Sequence, residues 1–203
     1  NNVKYFDCYT GFKWIAAVIR ENEGKMKYIG GGEESYGFLA EDFVRDKDAV
    51  SACAILAEIA AWAKDQGITM YQLLQNIYVQ YGFSKEKGIS VVKKGKSGAE
   101  EIEAMMKHFR ENPLQEIAGS KVTLFYDYAS LKGKDYVENE TLTLDMPTTS
   151  NVLQYFTEDG TKVSIRPSGT EPKLKLYMEV HENDPLQAKI SYTALRSACE
   201  ALL

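Results

Sequence analysis

Eight residues near the carboxyl end, Arg166-Pro167-Ser168-Gly169-Thr170-Glu171-Pro172-Lys173, concentrate the donors that an anion needs. A guanidinium grips two phosphate oxygens at once. The hydroxyls of Ser168 and Thr170 add donors, and Gly169 lets backbone N–H groups approach closely as a concave nest. Pro167 and Pro172 stiffen both ends, which lowers the entropy lost on binding. Lys173 stands beside the loop as a second cation. A second stretch, Gly30-Gly31-Gly32-Glu33-Glu34-Ser35-Tyr36-Gly37, offers two carboxylates and a hydroxyl on a backbone free to close on a ligand. Carboxylates repel phosphate, but they accept hydrogen bonds from sugar hydroxyls. One loop for an ester and one for a polyol point to a sugar phosphate.

Composition excludes several other chemistries. A net charge of −5 argues against a general nucleic-acid binder. No apolar run approaches the roughly 20 residues that span a bilayer, and no secretory pattern opens the chain. The three cysteines, Cys8, Cys53 and Cys199, are far apart and without metal spacing. They read as free thiols of a reducing, cytoplasmic compartment. With His108 and His181 the only histidines, a His-based metal site or a Ser/His/Asp triad is not expected. The chain starts on Asn1-Asn2, which reads as a processed product or an excised piece.

Positioning the two loops takes two different layers. Val3 to Tyr9 reads as a strand, Phe12 to Ile19 as a helix closed by Gly24, and Lys27 to Ile29 as a short strand running into the acidic loop. Asp46-Lys47-Asp48 reads as the cap of a long, deeply buried helix from Ala49 to Lys64. Thr69 and Gln72 form a capping box for a helix that Gly82 ends. Residues 1–84 therefore read as an incomplete α/β domain. Residues 85–203 read as α+β, an antiparallel sheet with helices on one face. Its expected parts are a strand from Gly88 to Lys93 and a helix opened by a Ser97–Glu100 capping box and ended by Asn112-Pro113. A strand from Lys121 to Tyr128 follows, with Val122, Leu124 and Tyr126 on one face, and then a polar connection from Ala129 to Ser150 with a short strand at Thr141 to Leu144. A hairpin turns at Asp159-Gly160, a strand runs from Leu174 to Val180, and Asp184-Pro185 caps a last helix with Leu186, Ile190, Leu195 and Leu202 apolar.

Thr10-Gly11-Phe12-Lys13, Gly32-Glu33-Glu34-Ser35 and Arg166-Pro167-Ser168-Gly169-Thr170-Glu171-Pro172, in this order and separation, resemble the C-terminal half of the α-D-phosphohexomutases, the phosphoglucomutase/phosphomannomutase family. The likeness covers nearly all 203 residues. It implies most of that family's third domain, which carries the sugar loop, followed by its TBP-like fourth domain, which carries the phosphate loop and closes as a lid. By resemblance Glu33 and Ser35 bind the sugar hydroxyls, Thr10 and Gly11 line the sugar site, and Lys47 points toward the substrate. Arg166, Ser168, Gly169 and Thr170 hold the phosphate that is not transferred. The implied reaction interconverts hexose 1-phosphate and hexose 6-phosphate through a phosphoserine, with Mg2+ and hexose 1,6-bisphosphate as cofactors. Neither the serine loop nor the Asp-Gly-Asp magnesium loop occurs in this sequence. The chain alone is therefore expected to hold no metal and to be inactive without the N-terminal domains. Some relatives carry a His where this chain has Gly37, which leaves Lys13 or Lys47 for proton transfer. The alternative reading is a stand-alone module that binds or senses sugar phosphates without catalysis.

Overall fold

Phe12, Ile15 and Ile19 recur at helical spacing, and they fold as α1 (Phe12–Asn22), burying Phe12 and Ile19. The computed structural model describes residues 3–33, 36–93, 95–169 and 171–203, without the side chain of Lys96. It divides into two units, Asn1–Gln75 and Asn76–Leu203. In the first unit, β1 (Gly31–Gly32) and β2 (Phe38–Leu39) pair as a minimal antiparallel hairpin around the acidic loop. Leu39 joins Phe12 and Ile19 in a small core, with Ile15 and Tyr28 packed against it. The Tyr28 hydroxyl donates to the Leu39 carbonyl at 2.9 Å and ties the hairpin to the preceding segment.

Two expected strands in this unit are not strands. Val3 to Tyr9 and Lys27 to Ile29 are extended or irregular, with no ladder partner among the described residues. A strand exists through its neighbour's backbone groups, so aromatic and β-branched content alone does not make one. The long helix is present as α2 (Ala49–Asp65), capped by Asp48, whose carboxylate accepts from Val50 N at 3.0 Å and Ser51 N at 3.2 Å. Its deep burial is not observed. Ala63 is its one buried residue, while Val50, Leu56 and Trp62 are exposed. The Thr69–Gln72 capping box opens α3 (Met70–Tyr81) as read: Gln72 N donates to Thr69 Oγ1 and Thr69 N to Gln72 Oε1. Gly82, at φ 98°, ends the helix in the left-handed region that glycine tolerates.

The second unit is an antiparallel sheet with its helices on one side. β3 (Phe83–Val92) leads into α4 (Gly95–Glu111), then β4 (Glu116–Ile117), β5 (Ser120–Asp127), β6 (Lys132–Asp135), β7 (Glu140–Thr143), β8 (Leu153–Thr157), β9 (Lys162–Pro167), β10 (Lys173–Glu182) and α5 (Pro185–Ala201). The spatial order is β3-β10-β9-β8-β5-β6-β7, with β4 attached to β5. Alternation places Leu174, Leu176, Met178 and Val180 of β10 and Val163 and Ile165 of β9 in the core. Ile102, Met106 and Phe109 of α4 and Tyr192, Leu195 and Cys199 of α5 pack on that same face. Tyr155 anchors α4 from the sheet, its hydroxyl donating to the Phe109 carbonyl at 3.2 Å.

Four details depart from the sequence expectation. α4 begins at Gly95, so Ser97 lies inside its first turn and not at the cap. A bulge between Val122 and Leu124 re-aims β5, and Phe125 joins Val122 in the core in place of Leu124 and Tyr126. The polar connection is a second hairpin, β6 with β7, whose polar alternation hides it from a hydrophobicity pattern. On α5 the buried face is Ala188, Tyr192, Leu195 and Cys199, while Leu186 and Ile190 are exposed.

Candidate functional site

The anion loop is the β9–β10 turn, and the sheet register decides what surrounds it. Pro167 pairs with Leu174, and Ser168 N donates to the Lys173 carbonyl at 2.7 Å, so the loop's two ends are clamped together. With Val163 and Ile165 turned to the core, Arg166 stands on the helix-free face of the sheet. Its direct cross-strand partner is Lys175. Side chains directly opposite on one face lie about 5 Å apart at Cβ, where like charges destabilise each other. Among the described residues neither cation has a carboxylate within ion-pair distance, although, after the closer hydrogen bond from Lys173, the Lys175 charge also helps to hold the Glu171 carboxyl down from longer range. Lys175 carries no motif; from sequence, it and Lys173 read either as reinforcing the anion loop or as solubility residues sharing one strand face. The signal for it is two-residue arithmetic: once Pro167 and Leu174 are paired, Arg166 and Lys175 must face each other.

Lys173 sits differently. Its Nζ is 2.8 Å from Glu171 Oε2, so much of its charge is already answered within the loop. That contact, above all the hydrogen bond from Lys173, holds the Glu171 carboxyl below its ordinary range. Gly169 is exposed, and a Cβ built there would meet nothing within 4 Å among the described residues. Neither packing nor a positive φ demands glycine at this position among the described residues. Thr170 lies outside the described residues. Under the loop, α4 together with Asn151, Pro167, Ser168, Glu171 and Pro172 lines a cavity of about 310 Å³. Its lining includes Ser168, Glu103 and Glu171 over Ile102 and Met106, and no cation among the described residues. A phosphate is better served on the Arg166 and Lys175 side.

The sugar-loop residues gather around the start of α1. Glu33 Oε1 accepts from Gly11 N at 2.5 Å, so its carboxylate sits at the helix N-terminus, where the partial positive charge favours it. The loop folds back through Glu33 N donating to the Gly37 carbonyl at 2.9 Å and Tyr36 N donating to the Glu33 carbonyl at 3.1 Å. Thr10 is exposed at the bend before Gly11. Lys47 Nζ lies 5.5 Å from the Phe12 ring centroid and 3.2 Å from Asp46 Oδ1. Lys13 lies instead over Trp14, 4.9 Å from its ring centroid. The structure thus brings Gly11, Glu33 and Lys47 around Phe12, while Glu34 and Ser35 lie outside the described residues. Phe12 carries no chemistry and is invisible to a search for polar groups. Asp46 and Asp48 are engaged with Lys47 and with the α2 cap, and no group of three or more His, Cys, Asp or Glu gathers for a metal among the described residues.

Both loops lie in segments matched by models of known families. Residues 1–81 match phosphoglucomutase/phosphomannomutase, alpha/beta/alpha domain III, and residues 90–190 match the C-terminal domain of the same family. Phosphoglucomutases from two strains of Staphylococcus aureus are 41% identical over 180 and 187 residues, covering 89% of this chain and 32% of each relative. The chain therefore spans about a third of the length of these curated relatives. A solved structure, the exocytosis-sensitive phosphoprotein pp63/parafusin (a phosphoglucomutase) from Paramecium in its open form, superposes with a TM-score of 0.63 at 23% identity. That match covers all of this chain and 34% of the solved one, and it supports the fold. The chain belongs to the phosphoglucomutase/phosphomannomutase family, of which it carries domain III and the C-terminal domain.

Proposed function

We propose that this chain supplies the sugar-reading and phosphate-seating parts of a cytoplasmic phosphohexomutase that interconverts hexose 1-phosphate and hexose 6-phosphate. The observation that carries the reading is the Arg166–Lys175 pair, two cations facing each other beside a Ser-Gly-Thr turn with no carboxylate within ion-pair distance among the described residues. Arg166 and Lys175 bind the phosphate that stays in place, with donors from Ser168, Gly169 and Thr170, and Lys173 stiffens the loop through Glu171. Glu33 and Ser35 accept hydrogen bonds from the sugar, beside Thr10 and Gly11. Lys47 is the better placed of the two lysines to move a proton near the ring, because it stands over Phe12 at the start of α1, while Lys13 is turned onto Trp14.

The remaining machinery comes from the rest of the enzyme. A phosphoserine, Mg2+ and hexose 1,6-bisphosphate belong to the N-terminal domains of the same chain, in keeping with the lack of any gathering of three or more His, Cys, Asp or Glu among the described residues. Alone, these residues bind substrate without turning it over. The functional boundary falls near residues 84 and 85, in the stretch between the two matched segments. Calorimetric titration with inorganic phosphate tests the reading. Arg166→Ala is expected to weaken binding by about 1.5–3 kcal/mol, the usual worth of a charged hydrogen bond, and Lys175→Ala by about 1 kcal/mol. Equal affinity in wild type and Arg166→Ala removes the phosphate assignment.

A further inference from the structure

Phe12 is the first residue of α1 and is 5% exposed, yet it lies among the polar groups of the sugar loop. Gly37 and Lys47 approach its ring, and Glu33 borders the same space beside Gly37. An ideal Cβ on Gly37 would stand 2.7 Å from Phe12 Cε2 and 3.3 Å from Cζ, so the ring edge occupies the space a side chain would need. The same Cβ would lie 3.3 Å from Glu33 Oε2, so carboxylate and ring share one wall. On the ring's face, Lys47 Nζ stands 5.5 Å from the centroid, within the range of a cation–π contact. Glu33 Oε1 is at the same time fixed to Gly11 N, the residue before Phe12.

Resting on the sugar reading above, we propose that Phe12 is a positioning residue of this site. Its ring fixes the Glu33 carboxylate and the Lys47 ammonium relative to each other, and Gly37 is bare because the ring fills that space. The ring touches no substrate. It removes rotamer freedom from two charged groups that would otherwise sample several positions on an exposed loop, so less entropy is lost when a sugar binds. The same packing excludes any side chain at Gly37. Sugar discrimination in this chain then rests on Glu33 and its neighbours, with no ring-nitrogen contact from position 37.

The test uses the full-length protein that carries these residues. Phe12→Leu keeps the apolar volume but removes the ring face, and Phe12→Trp keeps a ring. KM for glucose 1-phosphate is expected to rise about fivefold to tenfold in Phe12→Leu, the scale of one lost cation–π contact. Phe12→Trp should stay near wild type, and the affinity for inorganic phosphate should be unchanged in both. Gly37→Ala should raise KM by a similar factor. The double variant Phe12→Leu/Gly37→Ala should lie closer to wild type than Gly37→Ala, because leucine lacks the ring atoms that the new methyl strikes. In 15N-edited spectra without substrate, the Gly11 amide, shifted downfield by its carboxylate bond, should move upfield in Phe12→Leu.

Wild-type KM in Phe12→Leu, or equal losses of sugar-phosphate and inorganic-phosphate affinity together, would overturn the proposal. So would a Gly37→Ala defect that Phe12→Leu does not relieve. A wild-type protein that binds no hexose phosphate overturns the sugar reading instead, and the Gly11 amide shift alone then decides whether the ring holds Glu33.

Discussion

Two like charges set across a ladder oppose folding slightly, and a glycine that the fold does not require adds nothing to stability. Both features recur within the one turn between β9 and β10, where Arg166 faces Lys175 and Gly169 leaves open space. Local cost without structural return marks positions kept for a ligand. Gly169→Ala follows from this. With no clash within 4 Å among the described residues, it should leave the urea midpoint unchanged or raise stability by about 0.5 kcal/mol through the unfolded state. Phosphate affinity should fall about tenfold, because the methyl stands where the anion approaches the backbone. Parallel denaturation and calorimetry separate the two effects, and unchanged affinity would return Gly169 to the status of an ordinary turn residue. Lys173 shows the converse: a cation inside the motif that already has its carboxylate.

For the elements, placement of apolar faces decided more than propensity did. The hairpin at Asp159-Gly160 and the Asp184 cap of α5 were legible because each is a local hydrogen-bond geometry. Thr161 N donates to Asp159 at 3.0 Å, and despite opposing burial the bonds from Thr157, Thr161 and Ser120 hold that carboxyl below its ordinary range. Which stripe of α5 meets the sheet was not local. Leu186 and Ile190 are apolar yet exposed, while Tyr192 and Cys199 are buried, because the helix docks by the stripe that includes Ala188. Leu195→Ala is therefore expected to cost about 3 kcal/mol, whereas Ile190→Ala should cost about 0.5 kcal/mol or less. Urea unfolding of the two variants checks this, and comparable losses would mean that the helix packs on the other stripe.

Across the whole molecule the buried proton-bearing groups set an alkaline limit. Burial pushes the Cys199 thiol up to about 11, and burial also raises Tyr155 and Tyr28, the latter to about 12. A group with a raised folded pKa contributes its stability fully below the unfolded value and loses it as pH climbs through the folded one. For Cys199 the unfolded thiol ionises near about 8.5, so stability should fall between about pH 8.5 and 11. The loss should total roughly 3 kcal/mol from this group. Urea midpoints measured across that range should decline less steeply for Cys199→Ala than for wild type. Parallel slopes would assign the decline to other groups. No helix among the described residues is long and apolar enough to cross a membrane. The exposed Val50, Leu56 and Trp62 of α2 belong instead to a helix whose apolar side is not covered within its own unit.

From the linear chain alone came the two loops, the family they resemble, the capped helices and the hairpin turn. Each is encoded by residues a few positions apart, whose hydrogen bonds form whatever the rest of the chain does. Tertiary structure alone decided that Lys175 faces Arg166, that Phe12 fills the space beside Gly37, that the bulge turns Phe125 inward and that Val3 to Tyr9 is no strand. These depend on sheet register and on packing between segments distant in sequence, where a shift of one residue sends a side chain to the opposite face.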